Sequence, residues 1–129
     1  MTEERHTLAL LVEDNLANAE LARTLLERDG FDVLHAATAE AAMRAAEDFR
    51  PDLILMDLRL PDADGLSVVS RLRADPLSAR CAIIALTAYA MSGDEARALE
   101  AGCDGYIPKP FDTRSFTARI REIVAARRF

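Results

Sequence analysis

Apolar residues form five short runs in this chain, and the segments between them repeat apolar positions at the three- and four-residue spacing of helices. The runs predict strands at Thr7–Val12, Phe31–Ala36, Leu53–Asp57, Ala82–Thr87 and Gly105–Pro108. The intervening segments predict helices near Leu16–Arg28, Ala39–Phe49, Gly65–Arg73, Gly93–Ala101 and Thr113–Ala126. This alternation implies a parallel sheet with helices on both faces, because each right-handed crossover must return over the sheet.

The composition of the strands predicts their order in the sheet. Three runs are apolar throughout, which is typical of strands covered on both faces: Leu8–Val12, Leu53–Met56 and Ala82–Leu86. The second strand carries Asp32 and His35, and the fifth is short and ends in Pro108, which are features of edge strands. We therefore expect an α/β fold, a flavodoxin-like doubly wound (βα)5 three-layer sandwich with strand order 2-1-3-4-5.

Polar residues stand where the predicted strands end. Glu13 and Asp14 follow the first strand, Asp57 ends the third, Thr87 ends the fourth and Lys109 follows the fifth. The carboxyl ends of parallel strands meet at one edge, and ligands bind there where the winding reverses, between the first and third strands. Carboxylates brought together in this way require a nearby cation, and all-oxygen ligation suits Mg²⁺.

Each of these residues also has a simpler interpretation. The acid pair alone is equally compatible with a polar turn before a helix, and a threonine is a common strand residue. Asp57 is harder to explain in this way, because it ends a run of four large apolar residues. Lys109 lies between Pro108 and Pro110, which restrict its backbone and can aim its ammonium group. The joint occurrence favours a functional site.

The same residues carry a resemblance to a known family. The motifs are Leu11-Val12-Glu13-Asp14-Asn15, Leu55-Met56-Asp57-Leu58-Arg59-Leu60-Pro61, Asp64-Gly65, Leu86-Thr87-Ala88-Tyr89, Gly105-Tyr106 and Lys109-Pro110. This set resembles the response-regulator receiver domain, the CheY-like family, over nearly the whole chain. Within that family the chain is most similar to single-domain regulators of the DivK type.

The resemblance implies roles for the acidic residues. Asp57 would accept a phosphoryl group from the phosphohistidine of a histidine kinase or histidine phosphotransfer protein. Asp14, Asp57 and the backbone carbonyl of Arg59 would hold Mg²⁺, for which Mn²⁺ is a possible substitute, and Glu13 would help through a water molecule. The chain would thus catalyse its own phosphorylation and autodephosphorylation without being a conventional enzyme.

The resemblance also implies a conformational switch. Lys109 and Thr87 would contact the phosphoryl oxygens, and Tyr106 would turn inward as Thr87 moves. The face formed by the fourth helix, fifth strand and fifth helix would then change and bind a downstream protein target. Arg59 and Tyr89 occupy positions that tune dephosphorylation in this family, so their identities leave the phosphoryl lifetime open.

The bulk properties narrow the function further. The 129 residues fit one receiver domain spanning 1–129, with a folded core at about 7–126. A net charge of −6 argues against nucleic-acid binding. No apolar run is long enough for a membrane span or a signal peptide, so we expect a cytoplasmic protein, monomeric or weakly dimeric. Cys81 and Cys103 are expected to be buried thiols.

Other functions remain open on the sequence alone. The chain could be the receiver segment of a hybrid histidine kinase. A Mg²⁺-dependent phosphohydrolase with an aspartate nucleophile would need a second aspartate where Arg59 stands. A flavin or dinucleotide binder would need a phosphate-binding loop after the first strand, where Glu13 and Asp14 would repel phosphate. Asp62 and Asp64 are interpreted as parts of a turn rather than as a second metal site.

Overall fold

The computed structural model describes residues 7–76, 78–87 and 93–126. The strands are β1 (Leu8–Val12), β2 (Asp32–Ala36), β3 (Leu53–Asp57), β4 (Ala82–Thr87) and β5 (Gly105–Pro108). The helices are α1 (Leu16–Arg28), α2 (Ala39–Phe49), α3 (Gly65–Ala74), α4 (Asp94–Ala101) and α5 (Phe116–Ala126). Strands and helices alternate along the chain, as predicted.

The five strands form one parallel sheet in the order β2-β1-β3-β4-β5, which confirms the predicted flavodoxin-like arrangement. Leu10 pairs with Ile54, and Ile54 pairs with Ile83, so the three apolar strands occupy the centre. The edge strand β2 is mostly half-buried. The apolar runs are therefore central because only central strands are covered on both faces.

The alternation of side chains along the strands creates two hydrophobic cores. Leu11, Leu55 and Ile84 face one side, where they pack with residues of α1 and α5. Leu10, Ile54 and Ile83 face the other side, which is covered by α2, α3 and α4. Both cores extend almost to the carboxyl ends of the strands, so the polar residues at those ends lie directly next to tightly packed side chains.

The predicted bounds agree with the structure for α1, α2, β3, β4 and β5, and elsewhere they differ by one to three residues, with the largest difference at α5. This helix begins at Phe116 and not at Thr113, so its predicted start was wrong. Asp112 explains the difference: its carboxylate accepts a hydrogen bond from the Arg114 amide, and its carbonyl accepts one from the Ser115 amide. These contacts form a turn before the helix. Phe31 likewise belongs to the turn before β2, because its amide donates to the Leu26 carbonyl.

Two further predictions concern membrane insertion and thiols. No helix in the described part of the chain is both long enough and apolar enough to cross a bilayer. Cys81 and Cys103 form no disulfide bond; Cys103 is buried as predicted, whereas Cys81 is only half-buried, so its predicted burial was wrong. Burial raises the pKa of the Cys103 thiol to about 12, which makes it a poor nucleophile.

Candidate functional site at the carboxyl edge of the sheet

Three acids meet where β1 and β3 end side by side. Val12 pairs with Met56, so Glu13 and Asp57 emerge from neighbouring strands at the same level. One carboxylate oxygen from each of Glu13, Asp14 and Asp57 lies within 4.8 Å of the others. Glu13 and Asp57 are buried, whereas Asp14 is exposed. The predicted convergence of these acids is present in the structure.

Lys109 approaches the acids from the loop after β5. Its ammonium nitrogen lies 2.6 Å from Glu13 Oε1 and donates a 3.1 Å hydrogen bond to Asp57 Oδ2. The Lys109 amide donates to the Thr87 carbonyl at 2.7 Å, which ties this residue to the end of β4. The Lys109–Pro110 peptide bond is cis. One ammonium group thus serves a cluster of three carboxylates, which leaves an excess of negative charge.

The pKa of Glu13 reflects its burial and its neighbours. Burial raises the pKa of Glu13 to about 6, and a hydrogen bond with Asp57 adds to the rise, although Lys109 and the Asn15 amide oppose it. Burial alone would lower the pKa of Lys109, but the close contact with the Glu13 carboxylate and the charge of Asp57 raise it overall. Lys109 therefore stays protonated, whereas ionisation of Glu13 is less favourable here than in water.

Asp57 is fixed by backbone contacts on its other oxygen. Asp57 Oδ1 accepts a 3.0 Å hydrogen bond from the Arg59 amide. The first turn of α3 lies directly against this segment: a Cβ atom at Gly65 would come within 2.8 Å of Leu58 Cα and would also collide with the Asp57 carbonyl oxygen. The carboxylate of Asp57 is therefore held in one place by its own loop and by Lys109.

The two other acids of this loop serve helix ends. Asp62 accepts hydrogen bonds from the Ala39 and Glu40 amides at the start of α2, and these bonds lower the pKa of Asp62. Asp64 accepts one from the Leu66 amide at the start of α3. Both acids therefore bind backbone amides, in agreement with the turn interpretation. The contact between Asp62 and α2 was not foreseen.

Thr87 ends β4, and its side chain is directed at α4. The buried hydroxyl group donates a 3.0 Å hydrogen bond to Asp94 Oδ2. Arg97, one turn further along α4, forms an ion pair with the other oxygen of Asp94. This ion pair lowers the pKa of Asp94, so the carboxylate is charged at neutral pH. No role for Asp94 was predicted from the sequence, although an acid in the first helical turn after a strand-end hydroxyl was a signal.

The remaining predicted residues surround this centre. The side chain of Arg59 is exposed and lines a cleft of about 580 Å³ together with Asp94 and Arg97. Tyr106 is half-buried against the core beneath α2, α3 and α4. Tyr89 lies outside the described residues. His35, on the edge strand as expected, contacts the Glu13 carbonyl oxygen through Nε2 at 2.7 Å.

The donor set fits a hard divalent cation. All three clustered side chains offer carboxylate oxygens. Glu13 Oε1 is buried and accepts no well-directed hydrogen bond from any described residue, although the Lys109 ammonium is close to it. A divalent cation in this cluster would compensate the excess charge that Lys109 leaves.

Comparisons with known proteins agree with this geometry. The family model of the response regulator receiver domain matches residues 9–121. The polar-differentiation response regulator DivK of Brucella anthropi is 40% identical over 112 residues, which cover 87% of this chain and 91% of DivK. A putative response regulator from Chloroflexus aurantiacus superposes with a TM-score of 0.89 at 30% identity, covering 94% of this chain and 99% of that one.

A second solved structure adds a metal to the comparison. The receiver domain of the sensor histidine kinase PA1611 from Pseudomonas aeruginosa has a magnesium ion coordinated in its active site cleft. It superposes with a TM-score of 0.85 at 38% identity, covering 94% of this chain and 99% of that one. With the family match over residues 9–121, these likenesses establish that the chain belongs to the response regulator receiver domain family of two-component signalling.

Proposed function

We propose that this receiver domain accepts a phosphoryl group on Asp57 from a phosphohistidine of a histidine kinase or histidine phosphotransfer protein. The observation that carries the proposal is the placement of one buried carboxylate, Asp57, between the Lys109 ammonium and the acid pair Glu13 and Asp14. Membership in the family supports a histidine kinase or phosphotransfer protein as donor. Leu16 is 71% exposed at the start of α1, beside the site, and offers an apolar contact to such a partner.

Transfer requires an oxygen nucleophile and compensation of negative charge. A carboxylate oxygen of Asp57 attacks phosphorus, the new P–O bond forms as the P–N bond breaks, and the electron pair of that bond returns to the imidazole of the donor. Lys109 already contacts Asp57, and its ammonium group can also stabilise the negative charge on the phosphoryl oxygens. Positioning and charge neutralisation are the main contributions of a protein to such a step.

Mg²⁺ is the metal that this donor set suits, and Mn²⁺ is a reasonable substitute. Asp14, Asp57 and the backbone carbonyl of Arg59 would hold it, with Glu13 acting through a water molecule. When bound, the ion would neutralise charge that develops on the transferred group. The exposed position of Asp14 keeps one side of the cluster accessible to a hydrated ion.

The output of the domain would be a change at the face made by α4, β5 and α5. Thr87 would hydrogen-bond the phosphoryl group, Tyr106 would turn inward, and a downstream protein target would bind the altered face. The aspartyl phosphate would be hydrolysed by water at the same site, at a rate tuned by Arg59 and Tyr89. We place this activity in the cytoplasm, where kinases of this kind present their phosphohistidine.

Phosphorylation with a small acyl phosphate and Mg²⁺ tests the acceptor. We expect intact-mass spectrometry to show one added phosphoryl group on the wild type and none on the Asp57→Asn variant. Asp48→Asn, an identical change at an exposed position of α2, is the matched control and should label normally. Equal labelling of Asp57→Asn and wild type would remove Asp57 from the role.

Metal binding is tested separately by NMR. Titration with Mg²⁺ should shift the amide signals of Glu13 and Asp14, with saturation in the millimolar range expected for a site with few protein ligands. Asp14→Asn should weaken this binding, whereas Asp48→Asn should not. A titration without shifts at the carboxyl edge of the sheet would contradict the proposed metal site.

A further inference from the structure

The hydroxyl group that is proposed to contact the phosphoryl group is engaged elsewhere. Thr87 donates its buried hydroxyl to Asp94 Oδ2 at 3.0 Å, whereas Lys109 contacts Glu13 and Asp57. Both members of this pair are almost fully buried: Thr87 is 3% exposed and Asp94 is 8% exposed. A hydrogen bond from a hydroxyl group to an ionised carboxylate is roughly twice as strong as one between neutral groups.

Asp94 is itself held in place. Arg97 pairs with its second oxygen, and the positive charge of Arg59 also acts on it from the loop after β3. Asp94 also lies in the first turn of α4, where a negative charge interacts favourably with the helix dipole. The carboxylate is therefore a fixed acceptor aimed at Thr87, and it connects β4 to α4.

We propose that Asp94 is a positioning residue that holds the Thr87 hydroxyl toward α4 in the unphosphorylated protein, so that a phosphoryl group on Asp57 must compete with Asp94 for this hydroxyl. The inference rests on the proposed function of Asp57. The resting state is then stabilised by a specific acceptor, and phosphorylation releases this acceptor at the start of α4.

The competition has two physical consequences. A state whose hydroxyl must first leave Asp94 is populated only in part, and this lowers the apparent affinity for a phosphoryl group or its analogue. When the hydroxyl leaves, the first turn of α4 loses this side-chain bond to β4, and Asp94 retains its ion pair with Arg97. The exchange therefore couples the acceptor site to the position of α4.

The affinity for beryllofluoride, a phosphoryl analogue, measures the competition directly. Wild type, Asp94→Ala, Thr87→Val and the double variant are titrated with beryllofluoride in the presence of Mg²⁺, and binding is read by ¹⁹F NMR. We expect Asp94→Ala to bind on the order of tenfold more tightly than wild type, because the Asp94 carboxylate then no longer competes for the Thr87 hydroxyl. In the Thr87→Val background the same change should have no effect on affinity.

Two matched variants distinguish the effect of the position of Asp94 from the effect of its negative charge. Glu95→Ala removes the same charge one residue away, at an exposed position, and should leave the affinity within about twofold of wild type. Asp94→Asn keeps an oxygen acceptor for the Thr87 hydroxyl and should restore affinity close to wild type. The Thr87 methyl signal should shift in Asp94→Ala but not in Glu95→Ala. Should Asp94→Ala fold poorly, Asp94→Ser is the second variant, since its side chain is too short to reach Thr87.

The outcomes distinguish the two proposals. A wild type that fails to bind beryllofluoride would overturn the proposed function and this inference together. A wild type that binds, with unchanged affinity in Asp94→Ala, would overturn only the positioning role. An equal gain with and without the Thr87 hydroxyl would do the same, because it would show that the charge alone is responsible.

Discussion

Two cations organise opposite ends of the sheet, and their surroundings differ. Arg73 of α3 lies near the amino ends of β4 and β5, where it donates to the carbonyls of Gly102, Ala79 and Cys81 and forms a 2.9 Å ion pair with Asp104. Lys109 lies at the carboxyl ends, where it contacts Glu13 and Asp57 while Asp14 lies close by. Arg73 has one carboxylate and three neutral acceptors, whereas Lys109 has a cluster of three carboxylates.

The difference separates a structural cluster from a binding site. Around Arg73, cation and anion balance, and Asp104 Oδ2 also accepts a hydrogen bond from the Ile83 amide. Around Lys109 the charges do not balance, and burial together with the neighbouring Asp57 raises the pKa of Glu13. Buried charge that is not compensated destabilises a fold, so its retention points to a ligand that supplies the missing positive charge.

The largest expected effect on stability comes from the cluster around Arg73, in which the charges balance. Arg73→Leu would leave Asp104 and several carbonyl groups without their donor, and we expect the free energy of unfolding to fall by about 2–4 kcal/mol. Urea denaturation measures this loss. Arg71→Leu, at an exposed position of the same helix, is the matched control and should change stability by less than about 0.5 kcal/mol.

The Arg73 variant also tests whether the two clusters are independent. Under conditions where Arg73→Leu remains folded, its affinity for Mg²⁺ should equal that of wild type, because Arg73 contacts none of the three clustered acids. A change of tenfold or more in Mg²⁺ affinity would show that the two ends of the sheet are coupled.

The second effect concerns Glu13, whose ionised side chain lowers the stability of the fold. Because the pKa of Glu13 rises from 4.5 to about 6 in the fold, the native state binds this proton more tightly than the unfolded chain does. Below about pH 4.5 both states are protonated and no penalty applies. The metal-free protein therefore loses stability as pH rises through the window from 4.5 to 6, by roughly 2 kcal/mol in total.

Glu13→Gln isolates this effect, since glutamine resembles the protonated acid. We expect the metal-free variant to equal wild type near pH 4.5 and to exceed its unfolding free energy by about 1–2 kcal/mol at pH 7. Denaturation curves at several pH values, with a chelator present, make the comparison. A variant that is less stable than wild type at pH 7 would show that Glu13 is compensated without a metal.

The smallest effect concerns an exposed ion pair. Arg23 and Glu27 lie 3.4 Å apart on α1, and both side chains are about half exposed to solvent, at 47% and 53%. Arg23→Ala should change the free energy of unfolding by less than about 0.5 kcal/mol. A loss of stability as large as that of Arg73→Leu would mean that burial does not explain why the contacts of Arg73 stabilise the fold more than an exposed ion pair does.

Much of the fold follows from the sequence because its signals are local or periodic. The apolar runs of β1, β3 and β4 indicate central strands, and the polar residues after them indicate the ligand-binding edge. The proximity of Glu13, Asp57 and Lys109 could be predicted from the sequence, because parallel strands end at a common edge. Their chemical roles rest on the family resemblance and on the experiments proposed above.

The contacts that sequence reasoning missed depend on loop geometry. The bonds of Asp62 with α2, of Arg73 with the segments before β4 and β5, and of Asp94 with Thr87 join positions whose side-chain directions have no periodic pattern. The late start of α5 has the same origin, since a turn at Asp112 precedes the helix. Such contacts require coordinates, although acids near helix starts are a useful indication.

The segment from Asp57 to Gly65 is fastened at several points along its length. Arg59 and Asp64 form an isolated β-bridge, Asp62 holds the start of α2, and the Gly65 amide donates to the Leu58 carbonyl. Surface loops usually tolerate inserted or deleted residues. This one is held at each of these points, so we expect an inserted or deleted residue here to displace the start of α2 or α3.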